Sequence, residues 1–311
     1  MESVKRILSE VENSSASRRR SALEWWVNLP ESESIPLSMR LMGSSYRDVR
    51  DDVVEYCIDE FINCELMFDE VAHFIEEKSD SMDENMRQSL LRLMASFPLE
   101  RVFSPSMTRF YRGCFDAEDG ETRYRALCLA EYREDTSSEY AENLRRWLRD
   151  EDEDFRIVSI QGIARLKPSW GREALLERVG SCGALEAFHL QTALVALSVG
   201  EARAPHLRRI VEWVGDSRFT YPAIKLLEHY GTGDAWSSED RAEAIEALLR
   251  VVRGVLGEAT VRTVAAGAAA KLGSEEGRRW LEKFSKQRHG NPELAKALLL
   301  ELGDRNENAD K

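Results

Sequence analysis

The chain has little of what marks a secreted, membrane-embedded or disordered protein. Its 311 residues hold five cysteines, Cys57, Cys64, Cys114, Cys128 and Cys182, an odd, widely spaced set with no C-x-x-C pair. Such a set argues against a disulfide framework and fits reduced, mostly buried thiols in a cytoplasmic protein. The longest apolar stretches, such as Ala193–Val199, are far shorter than a bilayer span, and MESVKRILSEVENSS lacks the apolar segment of an export signal. Runs of alternating apolar and polar residues closed by hairpin turns are missing, so strands are expected to be nearly absent. Also missing are G-x-x-x-x-G-K-[ST], G-x-G-x-x-G, H-E-x-x-H and G-x-S-x-G. The chain therefore carries no common motif for phosphate, dinucleotide, zinc-protease or serine-hydrolase chemistry. Lysine is scarce, 9 against 34 arginines, which points to a GC-rich bacterial source.

What is present is enough to fold. With 43% hydrophobic and 32% charged residues, the chain can bury a core. The net charge of -13 is unevenly spread, because residues 31–155 hold 31 acids against 15 Lys and Arg. An acidic surface repels phosphate backbones and favours cationic partners, so the first half is not expected to bind nucleic acid.

The main signal is a phrase that recurs about every 35 residues: an acid, three positions, an arginine, then apolar positions on one helical face. It is clearest in 83–97 (DENMRQSLLRLMASF), 121–135 (ETRYRALCLAEYRED), 152–166 (DEDFRIVSIQGIARL) and 258–272 (EATVRTVAAGAAAKL). Aligned on the arginine, the anchors are Arg50, Arg87, Arg125, Arg156 and Arg262, with Leu190, Thr220 and Pro292 in the same place in weaker copies. Each interval has room for two helices and two turns. Apolar or small residues at Val158, Ser159, Ile160, Ile163 and Leu166, and at Val264, Ala265, Ala266, Ala269 and Leu272, make a stripe wide enough to meet both a partner helix and the next repeat. The leading acids, Asp83, Glu121, Asp152, Glu186, Asp216 and Glu258, sit where a helix dipole favours them and one turn from the anchor, within reach of an i,i+4 pair. Second amphipathic stretches precede the phrases at 66–75, 140–148, 172–179, 207–214 and 241–252. Breakers punctuate them: Pro98, Pro105, Pro168, Gly200, Pro205, Gly231, Gly233, Gly273, Gly290 and Pro292.

FRIVSIQGIARLKP and VRTVAAGAAAKLG resemble the second helix of HEAT and HEAT-like repeats, including the phycobilisome-lyase type. The resemblance implies an all-α fold, an α-solenoid of about eight antiparallel helix pairs in one domain over residues 1–303. Residues 1–30 would form an N-terminal cap and 304–311 a disordered tail. The family spans scaffolds, transport receptors, lyases, hydroxylases and DNA glycosylases, so the resemblance leaves activity open. The expected function is binding of a protein partner, as scaffold, adaptor or inhibitor of a partly basic protein. A glycosylase acting on alkylated bases and a lyase are the alternatives.

Residues with chemical potential have plain readings beside the functional ones. Glu70–His73 and Glu186–His189 match E-x-x-H, a spacing that can ligate metal, but they lie in different repeats. Glu151–Asp154 lacks the glycine and the spacing of a calcium loop. The resemblance also extends to deoxyhypusine hydroxylases, whose repeated His-Glu dipeptides are absent; Glu228-His229 runs in the reverse order. No metal or cofactor is expected. Trp147, Trp213 and Trp280 read as core, and Arg208–Arg209 with 278–288 are the only basic clusters that suit a glycosylase. Trp25 and Trp26 cannot both face one core on a single helix, so one should be buried and the other lie at an edge.

If the phrase helices line the binding face, as the resemblance implies, the positions one, five and nine residues after each anchor form its ridge. The site expected from this is Asp51, Glu55, Asp59, Arg92, Ile157, Gln161, Arg165, Val195, Tyr221, Lys225 and His229, running from an acidic end through an apolar middle to a basic end. The expected assembly is an elongated, cytoplasmic monomer that binds protein, with no membrane contact.

Overall fold

The computed structural model describes residues 2–232, 236–254, 258–287 and 291–309, with side chains described from residue 3 to residue 303 of these. Gly233, Gly290 and Arg288 lie outside the described residues. Among the described residues there are helices and turns and no strand. The first eight α-helices are α1 (Glu2–Val11), α2 (Ala16–Val27), α3 (Glu31–Leu41), α4 (Arg47–Tyr56), α5 (Glu65–Lys78), α6 (Glu84–Ser96), α7 (Pro105–Gly113) and α8 (Gly120–Tyr132). They are followed by α9 (Ser138–Trp147), α10 (Glu153–Leu166), α11 (Gly171–Leu176), α12 (Ala184–Leu197) and α13 (Ala204–Trp213). The series ends with α14 (Thr220–Tyr230), α15 (Ser238–Arg253), α16 (Ala259–Lys271), α17 (Glu275–Phe284) and α18 (Pro292–Ala309). The tail expected at 304–311 overlaps the last turns of α18, and Asp310 and Lys311 lie outside the described residues.

The anchors fall on alternate helices: α4, α6, α8, α10, α12, α14, α16 and α18. Local chemistry starts three of these helices, two of them with the acid that leads the phrase. Asp83 accepts the Met86 N–H at 2.8 Å to cap α6, Asp119 accepts the Thr122 N–H at 2.7 Å to cap α8, and Asp152 accepts the Asp154 N–H at 2.9 Å to cap α10. Pro105 and Pro292 open α7 and α18, where a missing N–H costs nothing. One amphipathic stretch is shorter than expected. Helix α11 ends at Leu176 rather than Val179, because the chain turns there and Gly180 adopts φ +97°. Leu176 and Val179 are consequently left exposed.

The chain divides into two compact units, Met1–Asn143 and Leu144–Lys311, which part inside α9. The sequence alone anticipates one array over 1–303 and gives no sign of this division. In the first unit α3 packs on α5 and α5 on α7, while α4 packs on α6 and α6 on α8. In the second, α13 packs on α15 and α15 on α17 in one row, and α14 on α16 and α16 on α18 in the other. The expected stripes are buried: Ile160 and Ile163 are fully enclosed in α10, as are Ala265, Ala266 and Ala269 in α16. Small residues permit close approach there. A Cβ on Gly277 of α17 would stand 2.8 Å from the Ala266 carbonyl oxygen of α16, so glycine is what lets these helices touch.

The recurring arginine has a role that helical spacing does not reveal. Arg156 donates to the Asp150 and Glu151 carbonyls at 2.9 and 2.6 Å, clamping the turn that precedes its own helix. Arg19 does the same to Asn13 and Ser14, and Arg50 to Ser44. In α8 the clamp is Arg123, on Ala117 and Glu118, two residues before the anchor assigned from sequence. In α14 the Thr220 hydroxyl takes over, donating to Val214 and Asp216. These bonds satisfy backbone carbonyls in the turns between helices.

The carboxylates expected one turn before the anchors are used differently too. Glu121 and Arg125 do form the i,i+4 pair, at 2.7 Å. Glu186 instead lies fully buried between Arg156, from the preceding phrase helix, and Arg178, at 2.9 and 2.8 Å. Such links recur at about one repeat: Arg19 to Asp48, Gln88 to Asp119, Arg156 to Glu186, Arg208 to Asp240 and Lys271 to Glu301 are 29, 31, 30, 32 and 30 residues apart. They tie each layer to the next within a unit.

Candidate binding groove

In Met1–Asn143 the phrase helices α4, α6 and α8 lie side by side and line a polar cavity of about 480 Å³. Helix α4 contributes Arg47, Arg50, Asp51 and Val54, and α6 contributes Asn85, Gln88, Ser89 and Arg92. Both sets follow the same i, i+3, i+4, i+7 pattern, which places four side chains on one helical face. Helix α8 adds Glu121 and Arg125, one turn apart. Val54 and Ser89 are buried, while the charged groups stay partly open to solvent.

Four guanidinium groups and two carboxylates therefore share one cavity. Asp51 is bracketed by Arg47 at 3.2 Å and Arg92 at 3.3 Å. Glu121 takes the Arg125 Nη2 at 2.7 Å, which leaves the buried Arg125 Nε–H without a hydrogen-bond partner. Gln88 donates to Asp119 at 2.9 Å across to the start of α8. On another side of α4 the carboxylates crowd instead. Burial, with Asp48 and Glu55 nearby, raises the Asp52 carboxyl above the usual range. An Arg–carboxylate cavity of this kind binds and orients; it offers fork-shaped donors for a carboxylate or phosphate and amides for a peptide group.

The expected ridge residues are placed unevenly. Asp51 and Arg92 lie in this cavity. Glu55 is exposed on α4, and Asp59 is exposed on the π-helical turn Cys57–Phe61 that follows it. That wider turn takes Asp59 out of line with Asp51 and Glu55, so three acids in strict succession on one face do not form. Asp51 is not an uncompensated acid either, because two arginines hold it. The apolar middle of the ridge is placed in the core: Ile157 is 7% exposed and Val195 is fully buried. Gln161 is exposed, with its amide nitrogen 3.3 Å from the His189 ring, and Arg165 is half-buried. On α14, Tyr221 is 47% exposed, Lys225 pairs with Glu228, and the exposed His229 ring meets Tyr230 edge-on.

Sequence reasoning missed Arg47, Arg50, Asn85, Glu121 and Arg125 as lining residues. For Glu121 and Arg125 the i, i+4 spacing is the available signal, which the sequence reading assigns to helix stability; Arg47 and Asn85 carry no signal in the phrase. Of the paired tryptophans, Trp26 is buried and donates to the Ser34 carbonyl at 2.9 Å, while Trp25 is 38% exposed beneath Arg6. Both oxygens of Glu186 are taken by arginines, and His73 pairs with Glu77 at 3.4 Å. Among the described residues no group of three or more His, Cys, Asp or Glu could hold a metal ion. Among them, too, no helix is long and apolar enough to cross a membrane.

No family model and no curated protein matches this sequence. Solved structures do. A chain in a homology model of the full-length AP-3 complex in an intermediate open conformation aligns over 91% of this chain at 12% identity, with a TM-score of 0.54. This chain spans about half, 53%, of that one. The complex of CpcE and CpcF of phycocyanin lyase from Nostoc sp. PCC7120 aligns over 87% of this chain and 96% of its own, at 13% identity and a TM-score of 0.49. Kap121p aligns over 96% of this chain and 37% of its own, at 13% identity and a TM-score of 0.36. At such identity the AP-3 match speaks for the fold alone, and the fold is a HEAT-like helical solenoid.

Proposed function

We propose that this chain is a non-enzymatic protein-binding solenoid, a scaffold, adaptor or inhibitor that meets its partner along the α4–α6–α8 face. The groove itself carries this reading. Three phrase helices of one row turn polar and charged side chains at regular spacing into a shared open cavity, where packing alone would favour apolar contacts. The fold supports an assembly role, since the AP-3 chain it resembles belongs to a complex. Charge supports a partner that is basic around the rim: Met1–Asn143 holds 30 acids against 17 Lys and Arg, while Leu144–Lys311 holds 26 of each. Complementary charge of this kind speeds encounter more than it tightens binding.

A photo-cross-linking residue tests the face directly. Placed at Asn85 in the groove, it should give an adduct of defined mass in the protein's native cells, whereas the same residue at the exposed Glu65 of α5 should not. Adducts at Glu65 with none at Asn85 would move the binding face to the other row of helices.

A further inference from the structure

We infer that the groove over α4, α6 and α8 is built for an acidic, extended peptide segment, with its spaced carboxylates held by Arg50, Arg92 and Arg125. This rests on reading the groove as a protein-binding face and adds the chemistry of what enters it. The whole unit is acidic, yet this cavity holds twice as many guanidiniums as carboxylates. Its two acids are already engaged by arginines of the same cavity, Asp51 by Arg47 and Arg92 and Glu121 by Arg125. Arg50 turns one nitrogen to the Ser44 carbonyl and remains part of the lining.

The second observation is geometric: Arg50, Arg92 and Arg125 come from three neighbouring phrase helices and line the same open cavity. A guanidinium is a planar fork of five donors, so a bond to Asp51 or Glu121 does not use up what Arg92 or Arg125 can offer a second carboxylate. Beside them, Asn85 and Gln88 bring amides, which can donate to and accept from a peptide group.

The same facts favour a peptide over nucleic acid. A polyanion would meet the acidic field of the whole unit before it met the groove, and Asp51 and Glu121 would interrupt any continuous track of phosphates. A peptide avoids both, because its carboxylates can be spaced and its backbone is neutral. Neighbouring helices stand roughly 8 to 10 Å apart, and an extended chain advances about 3.3 Å per residue, so acids three residues apart would meet successive helices.

The test is fluorescence anisotropy on the full chain with a labelled peptide carrying glutamate at every third position, and its glutamine counterpart. The glutamate peptide should bind saturably, more weakly as salt rises, and the glutamine peptide at least roughly tenfold less well. Arg92→Gln with Arg125→Gln should weaken binding roughly 10- to 100-fold. Arg125→Lys keeps the charge but removes the fork of donors, and should cost about tenfold with an unchanged melting temperature, which separates loss of the site from loss of the fold. Absence of saturable binding, equal binding of the two peptides, or indifference to both variants would overturn the inference. So would displacement of the peptide by inorganic phosphate or a single-stranded oligonucleotide at lower concentration than by the unlabelled peptide. An adduct at Asn85 together with failure of the peptide would refute the acidic segment and leave the binding face standing. A bound peptide with no adduct at Asn85 would support the acidic segment and reject that face for the cellular partner.

Discussion

Replacing Glu186 should destabilise Leu144–Lys311 more than any exposed charge change, and the structure sets the scale. The Glu186 side chain is fully buried, while Arg156 and Arg178 are 15% and 21% exposed. Each carboxylate oxygen serves one arginine: Arg156 Nε donates to Oε2 and Arg178 Nε to Oε1, both at 2.9 Å. Two poorly hydrated cations thus depend on one anion, and Arg156 is also fixed to the Asp150 and Glu151 carbonyls, so it cannot swing freely to water. Glu186→Leu leaves both cations uncompensated, which should cost about 3 to 5 kcal/mol. Glu186→Gln keeps one acceptor but turns an NH₂ toward guanidinium donors, and should cost about 2 to 3 kcal/mol. Adding Arg178→Leu to Glu186→Leu removes one stranded charge, so the double variant should lose less than the two single changes together. Chemical denaturation of the full chain, with hydrogen exchange read at α10 and α12, assigns the loss to this unit. A cost below about 1 kcal/mol for Glu186→Leu would show that the arginines reach water without Glu186, and would remove this pair from the account of how repeats are tied.

Three further outcomes follow from burial and charge. Ile160→Ala should cost about 2 to 4 kcal/mol, because Ile160 is fully buried, whereas Gln161→Ala beside it should stay within about 0.5 kcal/mol; equal losses in urea unfolding would put the phase of α10 in error. Trp26→Ala should cost about 3 to 5 kcal/mol, and Trp25→Ala only about 0.5 to 1 kcal/mol for the lost contact with Arg6, as measured by thermal unfolding of each variant. Burial opposes ionisation of Asp135, but bonds from Arg112, the Ser137 N–H and the Tyr111 hydroxyl outweigh it and hold the carboxyl below its usual range. A lowered folded value means the stabilisation is complete above the unfolded value near pH 4 and is lost as pH falls through the folded one. Acid unfolding should therefore show a smaller slope below about pH 4 in Asp135→Asn, and an unchanged slope would rule Asp135 out as a source of it.

How much was legible depended on how far the physics reached along the chain. Helix identity is local, and the stripe around Ile160 together with caps such as Asp83 and Asp152 placed every anchor on the expected helix. The role of the arginine was not local in the same way. Its side chain reaches back over the preceding turn, so hydroxyl-bearing Thr220 can replace it, and Arg123 can act where the pattern favours Arg125. Sequence spacing sees neither exchange.

The ridge failed at Ile157 and Val195 for a geometric reason. The sequence reading leaves Ile157 and Val195 outside the apolar stripe, but α10 and α12 pack closely on each other and α12 also packs on α13. Positions that a two-sided picture leaves in water are then covered, and both residues are buried. The groove was hidden because its defining contact, Arg92 to Asp51, joins residues 41 apart that belong to different repeats. Net charge is likewise silent on what one cavity holds. An excess of acid over 31–155 describes the unit's outer field, which governs approach, whereas the chemistry of a cavity is set first by the groups that line it, and there four arginines face two acids. A long-range preference for basic surfaces and a short-range preference for carboxylates are therefore compatible in one unit, each acting at its own distance.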